Sequence, residues 1–200
     1  MPEHFVLYGG TAVALRLGHR VSVDFDFFSA RSFTPAGLIE QMPLLGTEGS
    51  SIQQSKENTF ELEVPGPEGR VKLAFFGGIG FGQINPPDRC PDTGLKVASA
   101  EDLLALKLGT INVRVEAKDY LDIGALLQAG LSLPVALGHL EALHPQTTNW
   151  MITLRTLVYF QGGDLGKLPE KLKRDLEVAV QRVREVPEFA GEKKPIGWMG

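Results

Sequence analysis

Apolar positions first gather in a run of four, Phe5-Val6-Leu7-Tyr8, cut off by Gly9-Gly10. A run that short, ended by turn formers, predicts a buried strand entering a tight turn. The stretch Ala12 to Leu17 is rich in helix formers and stops at Gly18, so a helix of about two turns is expected, with Thr11 as its N-cap. From Arg20 to Phe28 the pattern alternates. Val21, Val23, Phe25 and Phe27 share one face and Ser22, Asp24, Asp26 and Phe28 the other, which predicts a second strand carrying two acids on one side. Ser29 to Gly49 reads as a connection interrupted by Pro35, with a short helix over Ala36 to Met42. Thr59 to Val64 and Arg70 to Phe76 alternate on either side of Pro65-Gly66-Pro67-Glu68-Gly69, the pattern of a hairpin. Leu95 to Ala98 adds a last short strand after a Gly- and Pro-dense segment.

The character of the chain changes near residue 98. Ser99-Ala100-Glu101-Asp102 has the form of a capping box and opens a helix running through Ile111. Further helices are expected at Ala117 to Ala129, Pro134 to Ala142, Thr147 to Phe160 and Pro169 to Val186, with Gly130, Gly162-Gly163 and Pro187 as stops. The expected fold class is therefore α+β: a small mixed β-sheet domain over 1–98, a helical bundle over 99–188, and a tail over 189–200. The 200 residues are 43% hydrophobic and 22% charged, enough for a sizeable core. A net charge of -4 excludes nucleic-acid binding by bulk charge alone and leaves room for a local basic patch. Cys90 is the only cysteine, so no intrachain disulfide forms, and no Cys/His spacing suits zinc. No apolar run reaches membrane-spanning length and no signal-like N-terminus is present; a cytoplasmic protein that avoids the membrane is expected.

Asp24 and Asp26, two apart in a strand, point to one face about 7 Å apart along the backbone, close enough to share magnesium. Read alone, such a pair also describes a solvated strand surface. Phe25, Phe27 and Phe28 give it an apolar setting instead, where two like charges repel unless a cation lies between them. Gly9-Gly10-Thr11 marks a strand-to-helix turn. Glycine there permits close backbone approach, the helix offers free amides to a phosphate, and Thr11 adds a hydroxyl. Phosphate cradle and metal ligands thus fall at neighbouring strand ends.

The stretch Leu7 to Ser29, LYGGTAVALRLGHRVSVDFDFFS, closely resembles the first motifs of the AbiEii/AbiGii (abortive-infection) toxin family of nucleotidyltransferases, in the polymerase-beta-like superfamily. The similarity continues through the Lys107-bearing Leu103 to Lys107, through Arg114 to Asp122, and through Thr153 to Phe160, spanning about residues 5 to 160. The resemblance implies transfer of a nucleoside monophosphate from an NTP to an RNA (in some members tRNA) or protein hydroxyl. It also implies up to two Mg²⁺ ions held by Asp24 and Asp26, and a separately encoded antitoxin. Lys107 would hold the nucleotide phosphates. Asp119 would position a neighbouring lysine or the acceptor hydroxyl. Lys107, Arg114 and Lys118, seven and eleven residues apart, would form one cationic stripe on a continuous helix, with Arg114 and Lys118 orienting phosphates or touching an RNA backbone. Lys118 and Asp122 are spaced for an i,i+4 pair.

Many relatives in that superfamily carry a third carboxylate on a later strand. Here the strand reads Arg70-Val71-Lys72-Leu73-Ala74-Phe75-Phe76, with Ala74 at the expected position. Alanine neither binds a cation nor takes a proton, so Glu61 and Glu63 on the neighbouring strand become candidates for that role. A degenerate nucleotide-binding module without turnover, and a protein-interaction partner acting through the helical half, stand as the rival readings.

Overall fold

The computed structural model describes residues 1–67 and 69–199; Glu68 of the expected hairpin loop and the terminal Gly200 lie outside the described residues. The chain divides into two compact units. The first comprises Met1–Ala12, Arg20–Ser99 and Lys194–Gly200, the second Val13–His19 and Ala100–Lys193.

In the first unit seven strands form one mixed sheet: β1 (Val6–Tyr8), β2 (Asp24–Phe28), β3 (Ser51–Lys56), β4 (Thr59–Gly66), β5 (Gly69–Phe76), β6 (Asp88–Arg89) and β7 (Lys96–Val97). Their order is β3-β4-β5-β2-β1-β7-β6. β2–β5 and β1–β7 are parallel and the remaining pairs antiparallel. The apolar alternation explains the centre. Phe5, Val6, Leu7, Tyr8, Phe27, Phe60 and Phe75 are buried, and the Phe27 and Phe75 rings stack with centroids 5.1 Å apart. The hairpin forms where the turn residues placed it and is longer than expected, closing at Gly66 opposite Gly69. α2 (Pro35–Gln41) is capped by Thr34, whose Oγ1 accepts from Gly37 N at 3.2 Å.

Several details depart from the alternation. β2 begins only at Asp24, because Val21 and Val23 are 87% and 52% exposed and meet no partner strand. α1 (Gly9–Leu17) starts at Gly9, so Thr11 sits inside the helix and is not its N-cap. β3, sequence SIQQSK, is a polar edge strand without an apolar signal, held by the ladder to β4. β6 lies inside the Gly- and Pro-dense segment before Leu95, where no strand was expected. The expected tail is partly structured: Lys194 and Gln83 exchange backbone hydrogen bonds of 2.7 and 2.9 Å.

The second unit is helical: α3 (Ala100–Thr110), α4 (Ala117–Gln128), α5 (Leu133–Leu143), α6 (Trp150–Leu157) and α7 (Glu170–Arg182). α3 is buried on most sides, through Leu103, Leu104, Ala105 and Leu108 and also through the charged Asp102 and Lys107, and it packs against α4, α5 and α6, as a helix at the centre of a bundle must. α6 is shorter than its pattern because Asn149 caps it, accepting from Met151 N at 2.9 Å. Among the described residues no helix is long and apolar enough to cross a membrane.

Candidate nucleotide and metal site

The turn from β1 into α1 brings the two sequence motifs of the first unit together. Tyr8 pairs with Asp26 in the antiparallel register of β1 and β2, so Gly9 comes to lie beside that carboxylate. Gly9 has φ +72°, and a Cβ placed on it would stand 2.5 Å from Asp26 Oδ2. Only glycine suits both the left-handed backbone and the closeness of the acid. Gly10 follows, half-buried in the first turn of α1. Thr11 is 2% exposed, and its hydroxyl donates to the backbone oxygen of Asp24 at 2.5 Å while pairing with the Ser22 hydroxyl at 2.8 Å. The first turn of α1 is thereby tied to the start of the acid-bearing strand. Thr11 anchors Asp24 through the backbone, a use the sequence did not suggest.

Strand register arranges the rest of this face. Asp24 is opposite Lys72 and Asp26 opposite Ala74 on β5; one strand further, on β4, Glu63 is opposite Lys72 and Glu61 opposite Ala74. Ala74 is buried, at 2% exposure. Lys72 was not foreseen. Its ammonium lies 2.8 Å from Glu61 Oε2, and that hydrogen bond, partly opposed by burial and helped by the charges of Glu61, Asp24 and Asp26, raises its pKa. Lys72 is therefore a cation in the field of all three acids. The strand alternation that put Ala74 on the acid face puts Lys72 there too, and this was the signal available to find it. Glu63 bonds Arg70 at 2.8 Å. Both candidate replacements for the third carboxylate are thus engaged with cations of β5.

No group of three or more His, Cys, Asp or Glu suited to a metal is present among the described residues. The donor set still fits Mg²⁺, which binds through one or two carboxylates and completes its shell with water and substrate phosphates. It does not fit zinc or an all-protein calcium cage.

The helical unit holds a second cluster. Lys107 Nζ lies 2.7 Å from Asp119 Oδ1 and 2.6 Å from Asp122 Oδ2, and both carboxylates are fully buried. Arg114 grips Asp119 with two hydrogen bonds, Nε to Oδ2 at 2.8 Å and an η-nitrogen to Oδ1 at 3.0 Å. His19 Nε2 is 2.7 Å from Asp122 Oδ1. Burial works to raise the Asp119 pKa, but the Arg114 hydrogen bond and the charge and hydrogen bond of Lys107 outweigh it, so the group is held below the ordinary carboxylate range. A buried carboxylate between two cations stays ionised. His19, missed from sequence, follows Gly18 at the end of α1 and carries no spacing signal toward Asp122, 103 residues away.

The expected stripe is not formed as such. α3 ends at Thr110 and α4 begins at Ala117, so Lys107, Arg114 and Lys118 do not share a continuous helix. Lys107 and Arg114 converge on Asp119, whereas Lys118 pairs with Glu116 at 2.9 Å. The i,i+4 pair of Lys118 with Asp122 is replaced by the inward pairing of Asp122 with Lys107.

A curated relative, the uncharacterized protein aq_aa25 of Aquifex aeolicus (strain VF5), is 29% identical over 184 residues, 90% of this chain and 83% of that protein. Among solved structures, MenT4, the nucleotidyltransferase toxin Rv2826c from Mycobacterium tuberculosis H37Rv, aligns at TM-score 0.50 and 18% identity over 90% of this chain and 84% of that one. The Megavirus polyadenylate synthase aligns at TM-score 0.42 and 15% identity, covering 63% of this chain and 28% of that one. The family model for the nucleotidyl transferase AbiEii toxin of type IV toxin-antitoxin systems matches residues 1–186, and the chain belongs to that family.

Proposed function

We propose that this protein is a magnesium-dependent toxin that moves a nucleoside monophosphate from an NTP to a hydroxyl of an RNA acceptor, with tRNA as the first candidate, in the cytoplasm and under the restraint of a cognate antitoxin. The observation that carries the reading is the contact of Asp26 with the Gly9 turn, which sets a carboxylate beside the opening amides of α1. Asp24 and Asp26 would hold Mg²⁺, which when bound neutralises phosphate charge and favours departure of pyrophosphate. Gly9 and Gly10 offer backbone to the triphosphate, and Thr11 keeps Asp24 in place. The acceptor oxygen bonds to the α-phosphorus, the bond to the β-phosphate bridge breaks, and pyrophosphate leaves. With Ala74 opposite Asp26, β5 supplies no carboxylate there for the acceptor proton, which passes to solvent.

Lys107 presents an ammonium oriented by Asp119 and Asp122, and Arg114 locks Asp119 in turn. In this reading Lys107 and Arg114 serve the nucleotide phosphates, and Lys118 the RNA backbone. Incubation with each labelled NTP and total tRNA should label the RNA, and Asp26→Asn should reduce labelling to background. Absence of label with all four NTPs would refute transfer to tRNA. A second reading, a nucleotide-binding module without turnover, is favoured by Ala74 alone; calorimetry showing tight Mg-NTP binding without product would select it.

A further inference from the structure

The C-terminal arm, residues 194–198, belongs to the sheet unit, and the way it is held points to a second site. Gln83 is 1% exposed, yet its amide is fully used: Nε2 donates to Trp198 O at 2.7 Å and Oε1 accepts from Gly197 N at 2.8 Å. Its backbone pairs with Lys194, and Trp198 N donates to Pro195 O at 3.1 Å, closing the turn. Ile196 is buried beneath, whereas the Trp198 ring remains 43% exposed. A buried glutamine and five hydrogen bonds thus fix the backbone that carries a large aromatic ring to a position where water still reaches it.

That ring walls a cavity of about 300 Å³ whose other sides include Glu3, His4, Arg31 and Lys96. His4 precedes β1 and Arg31 follows β2, so the antiparallel pairing of those strands brings them to one end of the sheet. Arg31 is exposed, and its guanidinium has no hydrogen bond or ion pair among the described residues. Lys96 is nearly buried. Its ammonium donates to Glu3 O at 2.6 Å and stands 3.4 Å from the Glu3 carboxylate, which is already taken by Arg89 at 2.8 Å. The cavity therefore carries surplus positive charge. The His4 ring is held below its ordinary pKa by burial and by the charges of Arg31 and Lys96. Lys194 lies over the Trp198 ring, 5.6 Å from its centroid.

An exposed indole beside a guanidinium, an ammonium and an imidazole is the chemistry that takes one nucleotide of a single strand, base on ring and phosphate on cations. We propose that this cavity is an RNA foothold, separate from the transfer site, in which Trp198 stacks a base and Arg31 with Lys96 holds its phosphate. The proposal deepens the RNA-acceptor reading above. Arg31 is five residues beyond Asp26, so the chain allows at most about 18 Å between their backbones.

The test uses the full chain carrying Asp26→Asn, so that binding is read without transfer and its failure is distinct from failure of catalysis. Anisotropy of a labelled uridine hexamer should report binding weakened roughly tenfold by Trp198→Ala. Arg31→Ala should weaken it as well and reduce the slope of log affinity against log salt by about 0.7. The protein has two tryptophans, so in a Trp150→Phe chain the hexamer should quench the emission of Trp198 with no change made in the cavity. Unchanged affinity in both substituted chains, absence of quenching, or uridine monophosphate binding as tightly as the hexamer would each overturn the proposal.

Discussion

Adding one methyl group at Gly9 separates the site's geometry from the fold's stability. In Gly9→Ala the new Cβ would lie 2.5 Å from Asp26 Oδ2, where an ordinary contact begins at 3.4 Å, so the carboxylate must retreat by about 0.9 Å. The backbone must also keep φ +72°, at a cost of about 1–2 kcal/mol for a residue bearing a Cβ. For a chain of this size that predicts a melting temperature lower by about 2–8 °C. A displacement near 1 Å at a reacting centre lowers turnover by about 10²-fold. Gly18→Ala is the matched control. It has φ +60° and nothing within 4 Å of the added Cβ, so it carries the backbone cost without moving an acid. Thermal melts and NTP-labelling rates on the two variants should show similar losses of stability and a large loss of activity only in Gly9→Ala. Equal activities would refute the claim that the turn positions Asp26.

Three further outcomes follow from the two clusters. Asp119→Asn, which leaves Lys107 with Asp122 alone and weakens the hold on the half-exposed Arg114, should destabilise the chain by about 1.5–3 kcal/mol in urea unfolding, because charge-assisted hydrogen bonds to a buried carboxylate are lost. The same residue sets an acid limb. Its folded pKa is depressed, so its contribution is complete above the unfolded value near 3.9 and disappears as pH falls through the lower folded value; the stability of wild type should drop there more steeply than that of Asp119→Asn. Ala74→Asp adds a third acid beside Asp26, and its melting temperature should rise with added Mg²⁺ by more than that of wild type; an equal rise would show that position 74 does not face the metal.

What the sequence revealed, and what it did not, divides along physical lines. β1, the hairpin and the helices were legible because each buries an apolar face, and burial leaves a period in the sequence. β3 left none: an edge strand of Ser, Ile and Gln is specified by the ladder of β4 and not by its own side chains. The extent of β2 was overstated because Val21 and Val23 alternate without a partner strand to bury them. At the site, the Gly9 turn and the Asp24–Asp26 pair announce themselves by local spacing. Lys72 was legible in the alternation of its strand, on the face of Ala74, and its partner Glu61 lies in the same hairpin; His19 acts through Asp122, 103 residues away, and no local window contains both. The cationic stripe failed for a related reason: helical spacing was extended across Thr110 to Glu116, where the helix is interrupted.

Cation binding at Asp24 and Asp26 is the point on which the proposed chemistry depends. Mn²⁺ as a spectroscopic substitute for Mg²⁺, titrated with a non-hydrolysable NTP and followed by electron paramagnetic resonance, counts the ions held by the folded chain directly. The expected result is protein- and nucleotide-bound Mn²⁺ in wild type, lost in Asp26→Asn and in Asp24→Asn. Equal occupancy in wild type and both variants would contradict the assignment of the metal to these two carboxylates.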